Sequence, residues 1–217
     1  MTARFDLAVF DVDGTLLDTT EGVISAVKYT IDHFGLEMLT EDSLKKFIGP
    51  PIQRSFSEAY ELEGDIIQKT ADVFREHYKN HDLLKAVPYE GIYDAMEWIC
   101  DQNIKIAVAT YKRQDYAQRI LREFGFDRFT DIMNGADNEN KLSKRDIIKK
   151  CITESGVNDH SRVVMIGDSD NDAVGAADLG INFIAVTYGF GFADRKDAMK
   201  FPNCGVADSP RELKNFF

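Results

Sequence analysis

An apolar run that ends in two carboxylates stands near the start of this chain: Asp6-Leu7-Ala8-Val9-Phe10-Asp11-Val12-Asp13-Gly14-Thr15-Leu16-Leu17-Asp18. Residues 7–10 are continuously apolar and too few for a helix, which predicts a strand that is covered on both faces. Gly14 favours a turn directly after this strand. Because open α/β sheets bind ligands at the carboxyl ends of their strands, Asp11 and Asp13 are candidates for a functional site.

Two carboxylates at this spacing can serve three chemistries. They can hold a hard cation through oxygen, one of them can act as a nucleophile, or one can transfer a proton. Asp-x-Asp-Gly is also ordinary turn chemistry. The stretch by itself therefore leaves function open, and the rest of the chain has to be considered.

Composition excludes several classes of protein. The chain has 217 residues, 44% of them hydrophobic, which is enough for one sizeable core with or without a smaller insert. A formal net charge of -11 argues against a nucleic-acid or anionic-membrane partner. No apolar run approaches the roughly 20 residues that cross a bilayer, and a strand pattern close to the first residue leaves no room for a signal peptide. We expect a cytoplasmic protein, with Cys100, Cys151 and Cys204 as free thiols.

The region after the acidic stretch has helical periodicity only. Apolar residues recur at helical spacing through about residue 80, and Gly49-Pro50-Pro51 interrupts them. A helix-only block directly after the first strand of an α/β pattern indicates an insertion above that strand's carboxyl end. We expect a cap domain of α-helices over residues 18–84 and a core domain formed by residues 1–17 and 85–217.

From residue 91 onward, strand patterns alternate with helix patterns, which predicts a three-layer α/β/α sandwich around a mostly parallel, Rossmann-like sheet. One helix is predicted to start after Ser143, another at about Asp172, and a last one near Ser209-Pro210. Asp18 is expected to cap the first helix of the insertion. The further strands are predicted at residues 105–109, 129–133, 163–166 and 183–186.

Functional side chains recur where the predicted strands end. Thr110 follows one strand, and Asp168 and Asp172 follow another. Lys144 lies in the first turn of a predicted helix, where the helix dipole disfavours a cation, so an anionic neighbour is expected to offset it. A solvated surface lysine beside Lys141 is the alternative. The recurrence of such residues at one sheet edge favours a site.

Other site types fit the sequence poorly. Asp168, Asp170 and Asp172 match the first positions of an EF-hand calcium loop, but Ala173 stands where glycine is needed and Leu179 where a bidentate glutamate is needed. Walker, dinucleotide-binding and nucleophile-elbow motifs are missing, and the histidines have no zinc spacing. A calcium-binding or structural module remains the non-enzyme alternative.

Four motifs in order resemble the haloacid dehalogenase superfamily of phosphohydrolases, in particular its phosphoglycolate phosphatase-like branch with an α-helical cap. Asp11-x-Asp13-Gly14-Thr15-Leu16-x-Asp18 resembles the family's first motif and Gly167-Asp168-Ser169-x-x-Asp172 its fourth. Thr110 resembles the second motif. Lys144 resembles the third, for which Lys141 is the competing candidate.

The resemblance implies a role for each motif residue. Asp11 would attack phosphorus to give an aspartyl-phosphate, and Asp13 would protonate the leaving oxygen and then activate water. Mg²⁺ would be held by Asp11, Asp168 and the main-chain carbonyl of Asp13, with Asp172 and Ser169 behind these ligands. Catalytic residues are expected to be Asp11, Asp13, Thr110 and Lys144. The residues expected to contact the substrate are Thr110, Tyr111, Lys112, Lys144, Gly49 and Arg54.

The resemblance thus implies a Mg²⁺-dependent phosphatase of a small phosphorylated metabolite, with a phosphoglycolate-like ester as the leading substrate. A nucleotide, a sugar phosphate or pyrophosphate are alternative substrates, and a phosphomutase is an alternative reaction. Lys112 and Arg54 are expected to bind the anionic part of the substrate, with solvated surface cations as the alternative. The protein is expected to be a monomer or a homodimer, without nucleic-acid or membrane partners.

Overall fold

The computed structural model describes residues 4–139 and 141–217. Within these residues, six parallel strands form one sheet. The predicted α/β class with a mostly parallel sheet is confirmed. The strands, in the order of the sheet, are β5 (Met133–Ala136), β4 (Lys105–Arg113), β1 (Leu7–Phe10), β6 (Val163–Gly167), β7 (Asn182–Val186) and β8 (Gly205–Ala207).

Strand β1 is the central strand that its apolar run predicts. It pairs with β4 on one side and with β6 on the other, so Phe10 lies level with Val108 and with Ile166. All four of its side chains are completely buried. Leu7 and Val9 join the hydrophobic core on one face of the sheet, and the alternate side chains join the core on the other face.

Helices cover both faces of the sheet and give the three predicted layers. One apolar core contains residues of α5 and α6 with the alternate residues of β1, and the other contains residues of α7 and α8. Three 3₁₀ segments lie at residues 126–128, 160–162 and 210–216. The helices of this part are α5 (Ile92–Asp101), α6 (Gln114–Glu123), α7 (Lys144–Ser155), α8 (Asp170–Leu179) and α9 (Arg195–Ala198).

The region between residues 18 and 87 is helical, as its periodicity predicts. Strands β2 (Leu17–Asp18) and β3 (Val87–Pro88) form a two-stranded antiparallel ribbon at the two ends of this region. A π-helical turn, Tyr78–Asp82, extends the fourth helix. The helices are α1 (Thr20–His33), α2 (Glu41–Lys45), α3 (Ile52–Tyr60) and α4 (Asp65–His77).

Two strand boundaries differ from the prediction. The strand expected at residues 129–133 is β5 at Met133–Ala136, because Phe126 is held in a 3₁₀ turn and Phe129 closes that turn instead of pairing with β4. β4 continues through Thr110 to Arg113 instead of ending before it. The pattern did not show this extension, since the residues after Thr110 are polar and only partly buried.

Three helix ends also differ. Helix α1 is preceded by Thr19 as its cap residue, while the predicted cap Asp18 accepts a hydrogen bond from the Thr20 N–H group at 2.9 Å. Helix α8 begins at Asp170, two residues before the predicted start, because Ser169 is its cap residue. The segment after Ser209 is a 3₁₀ helix instead of an α-helix. None of these differences moves a strand's carboxyl end away from the common edge.

Candidate active site

Three buried carboxylates meet at the carboxyl edge of the sheet. Because β1 and β6 are neighbours in register, Asp11 after β1 lies beside Asp168 after β6, and the first turn of α8 adds Asp172. One oxygen of each carboxylate lies within 4.8 Å of the others. At most 5% of any of these three residues is exposed. The sequence had placed these side chains at one edge, and the structure brings them into one cluster.

Lys144 is the cation of this cluster. Its Nζ atom lies 2.6 Å from Asp11 Oδ1 and 2.7 Å from Asp172 Oδ1. The side chain is buried although Lys144 is the first residue of α7, so the two carboxylates are the anionic neighbours that its position required. Lys141, the competing candidate, has an exposed side chain that pairs with Glu139 at 3.3 Å.

A capping box fixes the orientation of Asp172. Its Oδ2 atom accepts hydrogen bonds from the Ser169 backbone N–H group at 3.2 Å and from the Ser169 hydroxyl at 2.6 Å, which leaves Oδ1 facing Lys144. Gly167 lies directly behind this carboxylate, and a Cβ atom there would collide with it. Asp172 therefore holds Lys144 in position, while Ser169 holds Asp172.

Backbone amides hold Asp168 from the other side. Its Oδ2 atom accepts hydrogen bonds from the N–H groups of Phe190 at 2.7 Å and Gly191 at 3.0 Å. Gly14, which has a positive φ of 81°, and Gly189 pack so closely on this carboxylate that a Cβ atom on either would overlap with it. The loop after β7 is not among the site residues that the sequence predicted. Its glycines were the available signal for close backbone approach.

Asp13 has different partners from those of Asp11. Its Oδ1 atom accepts a hydrogen bond from the Thr19 hydroxyl and lies 3.1 Å from Lys112 Nζ. The Lys112 ammonium also donates a hydrogen bond to the Tyr78 hydroxyl at 2.8 Å. Only 6% of the Lys112 side chain is exposed, so the alternative of a solvated surface cation is wrong for this residue. The two acids of one short loop are thus connected to two different lysines.

Burial sets the protonation chemistry of this site. It raises the pKa of Asp11 to about 7 against the opposing effect of Lys144, and Asp172 and Asp13 raise it further. Burial also raises the pKa of Asp168, again with help from neighbouring carboxylates. Burial would lower the pKa of Lys144, but the charges of Asp11 and Asp172 outweigh it and raise that pKa. Lys144 therefore stays a cation.

The cluster fits a divalent cation. Three carboxylates face one ammonium group, so the site carries excess negative charge in a buried place. The possible ligands are oxygen atoms from few carboxylates, and such a set suits Mg²⁺, which usually keeps several water ligands. The amides on Asp168 occupy Oδ2 and leave Oδ1 for such an ion.

The second and third motifs meet through Tyr111. Its hydroxyl accepts a hydrogen bond from the Lys144 backbone N–H group at 2.9 Å, which positions the start of α7 over the end of β4. Thr110 is buried on β4, and its Oγ1 atom accepts a hydrogen bond from the Lys112 N–H group at 3.1 Å. Because Val108 of β4 lies level with Phe10 of β1, Thr110 lies beside the Asp11 loop.

A cavity of about 70 Å³ lies above Asp13, between the helical region and the sheet edge. Gly49, which has a positive φ of 99°, lines it as predicted. Arg54 instead has an exposed side chain that pairs with Glu58 at 2.7 Å. The lining residues that sequence analysis had not singled out include Gln53, Arg75, Tyr78, Arg113 and Tyr116. They come from α3, α4 and the π-helical turn after it, the end of β4 and α6, and helical spacing does not show which side of these helices faces the site.

Acidic side chains and a buried lysine at the carboxyl edge of a parallel sheet, below a cavity lined with cations, define an α/β enzyme for an anionic substrate. Residues 8–186 match the family model of the haloacid dehalogenase-like hydrolases. The chain belongs to this family, and it is an enzyme of the phosphoric monoester hydrolase class, as its motifs predicted.

Named relatives cover most of the chain. A 5'-nucleotidase from Pseudomonas aeruginosa is 29% identical over 192 residues, which are 88% of this chain and 86% of the relative. A phosphoglycolate phosphatase from Agrobacterium fabrum is 31% identical over 199 residues, 88% of this chain and 84% of the relative. The crystal structure of a predicted phosphatase from Clostridium acetobutylicum is 29% identical, with a TM-score of 0.91 and 98% of both chains covered.

These relatives agree on phosphate chemistry and differ in the substrates that their names imply. The names of the 5'-nucleotidase and of the phosphoglycolate phosphatase each refer to a small phosphorylated compound. Within the residues that the structure describes, no helix has the length and apolar character needed to cross a membrane.

Proposed function

We propose that this protein is a Mg²⁺-dependent phosphatase that hydrolyses a small phosphorylated metabolite through an aspartyl-phosphate on Asp11, with a phosphoglycolate-like monoester as the leading substrate. The observation that carries this proposal is the separation of the two acids: Asp11 is held by Lys144 at 2.6 Å, whereas Asp13 is held by Lys112 at 3.1 Å. Because each acid is held by its own lysine, Asp11 can face phosphorus while Asp13, on the same loop, stays near the leaving oxygen.

The first step transfers the phosphoryl group to the protein. A carboxylate oxygen of Asp11 forms a bond to phosphorus while the bond from phosphorus to the leaving oxygen breaks, and Asp13 gives its proton to that oxygen. Lys144, which remains a cation, balances the negative charge near the reacting group. Thr110 and the amides after Asp11 are positioned to bind the phosphoryl oxygens.

The second step releases phosphate. Asp13, now a carboxylate, takes a proton from a water molecule, whose oxygen attacks phosphorus and breaks the bond to Asp11. Inorganic phosphate leaves, Asp11 is a free carboxylate again and Asp13 carries the proton for the next cycle. When bound, Mg²⁺ would supply positive charge to the phosphoryl oxygens, and Asp11, Asp168 and the main-chain carbonyl of Asp13 would hold it.

The helical region takes the part of a cap in this proposal. Residues 18–84 would form the cap domain, residues 1–17 and 85–217 the core domain, and the ribbon of β2 and β3 the boundary between them. Tyr78 is bonded to Lys112 of the sheet edge, so movement of the cap would change the surroundings of Asp13. Closure of such a cap would shield the leaving group from bulk water.

A panel of phosphate compounds assayed with and without Mg²⁺ tests the proposal. It should contain 2-phosphoglycolate, a nucleoside monophosphate, glucose 1-phosphate and pyrophosphate, with released phosphate as the readout. We expect Mg²⁺-dependent release that is largest for 2-phosphoglycolate. Equal release of phosphate with and without Mg²⁺, or no release of phosphate from any compound, would contradict the proposed activity.

The same panel separates a hydrolase from a mutase. Both reactions begin with an aspartyl-phosphate, but a mutase must exclude water and hold a sugar hydroxyl instead. The cavity is lined by Gly49-Pro50-Pro51 and several aromatic rings, with few neutral polar groups to grip a sugar. We expect free phosphate to form. Net isomerisation of glucose 1-phosphate without release of phosphate would overturn this choice.

A further inference from the structure

One cavity-lining cation has no carboxylate partner. Arg75 on α4 is 8% exposed, and its guanidinium contacts neutral groups: Nη1 donates to the Asn138 carbonyl oxygen at 2.5 Å and to its Oδ1 at 3.1 Å, and Nη2 donates to Gln53 Oε1 at 3.1 Å. Within residues 4–139 and 141–217, no carboxylate oxygen lies within 4.0 Å of this guanidinium. A charge that is buried in this way is costly unless an anion compensates it.

The surroundings of Arg75 add positive charge instead of removing it. Burial lowers the pKa of Arg75, and Arg113 lowers it further, against weaker opposing effects of Asp72 and Asp137. Arg113 lines the same cavity, pairs with Asp115 along one edge, and donates from Nη1 to Asn138 Oδ1 at 3.1 Å. Asp137, one of the two acids that act on Arg75, already accepts hydrogen bonds from three backbone N–H groups, those of Glu139, Lys141 and Leu142.

Arg75 lies on the leaving-group side of the site. Tyr78 follows it by three residues on the same helical run, about 4.5 Å along the helix axis, and its hydroxyl is bonded to the Lys112 ammonium that pairs with Asp13. Arg75 and Asp13 line one cavity. A molecule whose leaving oxygen reaches Asp13 would therefore extend its other end toward Arg75.

We propose that Arg75 binds a second anionic group on the substrate, a carboxylate or a second phosphate, attached within a few atoms of the reacting phosphorus. A planar guanidinium suits such a group because it can donate two parallel hydrogen bonds. This inference rests on the proposed function and narrows its substrate class to compact doubly anionic phosphates. It assigns to Arg75 the role that the sequence had suggested for Arg54.

Wild-type enzyme gives the first test. With Mg²⁺ present, kcat/KM is measured for 2-phosphoglycolate, for ethyl phosphate, which has the same carbon chain without the carboxylate, and for pyrophosphate, whose second anion is a phosphate. We expect at least one of the two doubly anionic compounds to exceed ethyl phosphate by about tenfold or more, and the better one identifies the anion. Equal values would overturn the role of Arg75 alone, whereas no turnover of any compound would overturn the proposed function itself.

Variants give the second test. Arg75→Gln should lower kcat/KM for the preferred doubly anionic compound about tenfold or more and change ethyl phosphate turnover less than about threefold. Arg75→Lys, which keeps the charge but loses the planar donor pair, should give a smaller loss and serves the same comparison if Arg75→Gln does not fold. Lys69→Gln, an exposed cation on the same helix, should leave both values unchanged.

The alternative is that Arg75 only ties α4 to the Asn138 loop. A purely structural tie would lower kcat/KM for ethyl phosphate and for the doubly anionic compound by the same factor. A parallel loss in Arg75→Lys or Arg75→Gln therefore overturns the proposal, and a change in the ratio of the two values supports it.

Discussion

The acidic cluster at the sheet edge, called the floor below, and part of the lining of the neighbouring cavity, called the roof, carry opposite excess charge. The floor consists of Asp11, Asp168, Asp172 and Lys144, and the roof consists of Gln53, Arg75 and Arg113. In the floor, negative charge is in excess, and each acid is held by a lysine, a capping residue or backbone amides. In the roof, positive charge is in excess, and the acceptors around Arg75 are neutral.

This difference indicates a division of work. The floor is built from strand ends and a helix start, whose positions are set by backbone hydrogen bonds, so its atoms are organised before a substrate arrives. The roof is built from long side chains on α3, on α4 and at the end of β4, and by our proposal a ligand compensates the charge of Arg75. Under the two proposals above, the floor carries out the phosphate chemistry and the roof selects among phosphates.

The largest expected effect is in the floor, at the nucleophile. Asp11→Asn should reduce kcat by at least about 10⁴-fold because the amide cannot attack phosphorus. The substitution is nearly isosteric, so circular dichroism and the melting temperature should show a folded protein. Near-normal turnover by the folded variant would remove Asp11 from its proposed role.

The second-largest effect on kcat is expected at Lys144, with Lys141 as the control. Lys144→Met should reduce kcat about 10²- to 10³-fold, since it removes the cation beside the phosphoryl group and leaves two buried carboxylates without their partner. Lys141→Met removes an exposed lysine three residues away and should change kcat less than about twofold. If the two variants lost activity equally, the assignment of the third-motif role to the buried Lys144, and not to the exposed Lys141, would be wrong.

Metal binding to the floor can be measured without turnover. Saturating Mg²⁺ should raise the melting temperature of the wild type by about 5 °C, and Asp168→Asn should abolish that rise. Because a proton competes with the metal for Asp11, whose pKa burial raises to about 7, the rise should be smaller at pH 6 than at pH 8. Ca²⁺ should also raise the melting temperature but should inhibit turnover, since its larger coordination sphere fits the site poorly.

Two results would contradict this prediction about the metal site. A rise of equal size in Asp168→Asn would place the metal elsewhere. Equal phosphate release with Ca²⁺ replacing Mg²⁺ would contradict the octahedral site.

The smallest effect on kcat is expected at Tyr78, which links the helical region to Lys112 at the sheet edge. Tyr78→Phe removes the hydroxyl that accepts a hydrogen bond from Lys112, but the 3.1 Å contact of Lys112 with Asp13 remains. We expect kcat to fall about threefold to tenfold, which corresponds to one hydrogen bond to a charged group. Tyr93→Phe loses a hydroxyl bond to the Phe124 carbonyl oxygen, outside the cavity, and is the matched control. An equal fall in both variants would show that the effect is general destabilisation.

The floor was largely predictable because its signals are local. A short apolar run marks a buried parallel strand, and residues after such runs meet at one edge whatever the loops between them do. Asp11 and Lys144 are 133 residues apart, yet each was recognised from its own strand end or helix start. The positions of Asp168 and Asp172 were predicted on the same basis, and the structure brings all three acids together.

The partners of these residues depend on long-range packing. Lys112 was expected to face the substrate or the solvent, and only the approach of Tyr78 from α4 and of Asp13 from the first loop shows that it is buried between them. The side of α4 that carries Arg75 faces Asn138 because two distant segments pack there, 63 residues apart. Helical periodicity marks an apolar face, but a buried charge looks the same in sequence as an exposed one. The sequence therefore contained the reacting groups, whereas the charge left open for a substrate became visible only when helices and sheet edge came into contact.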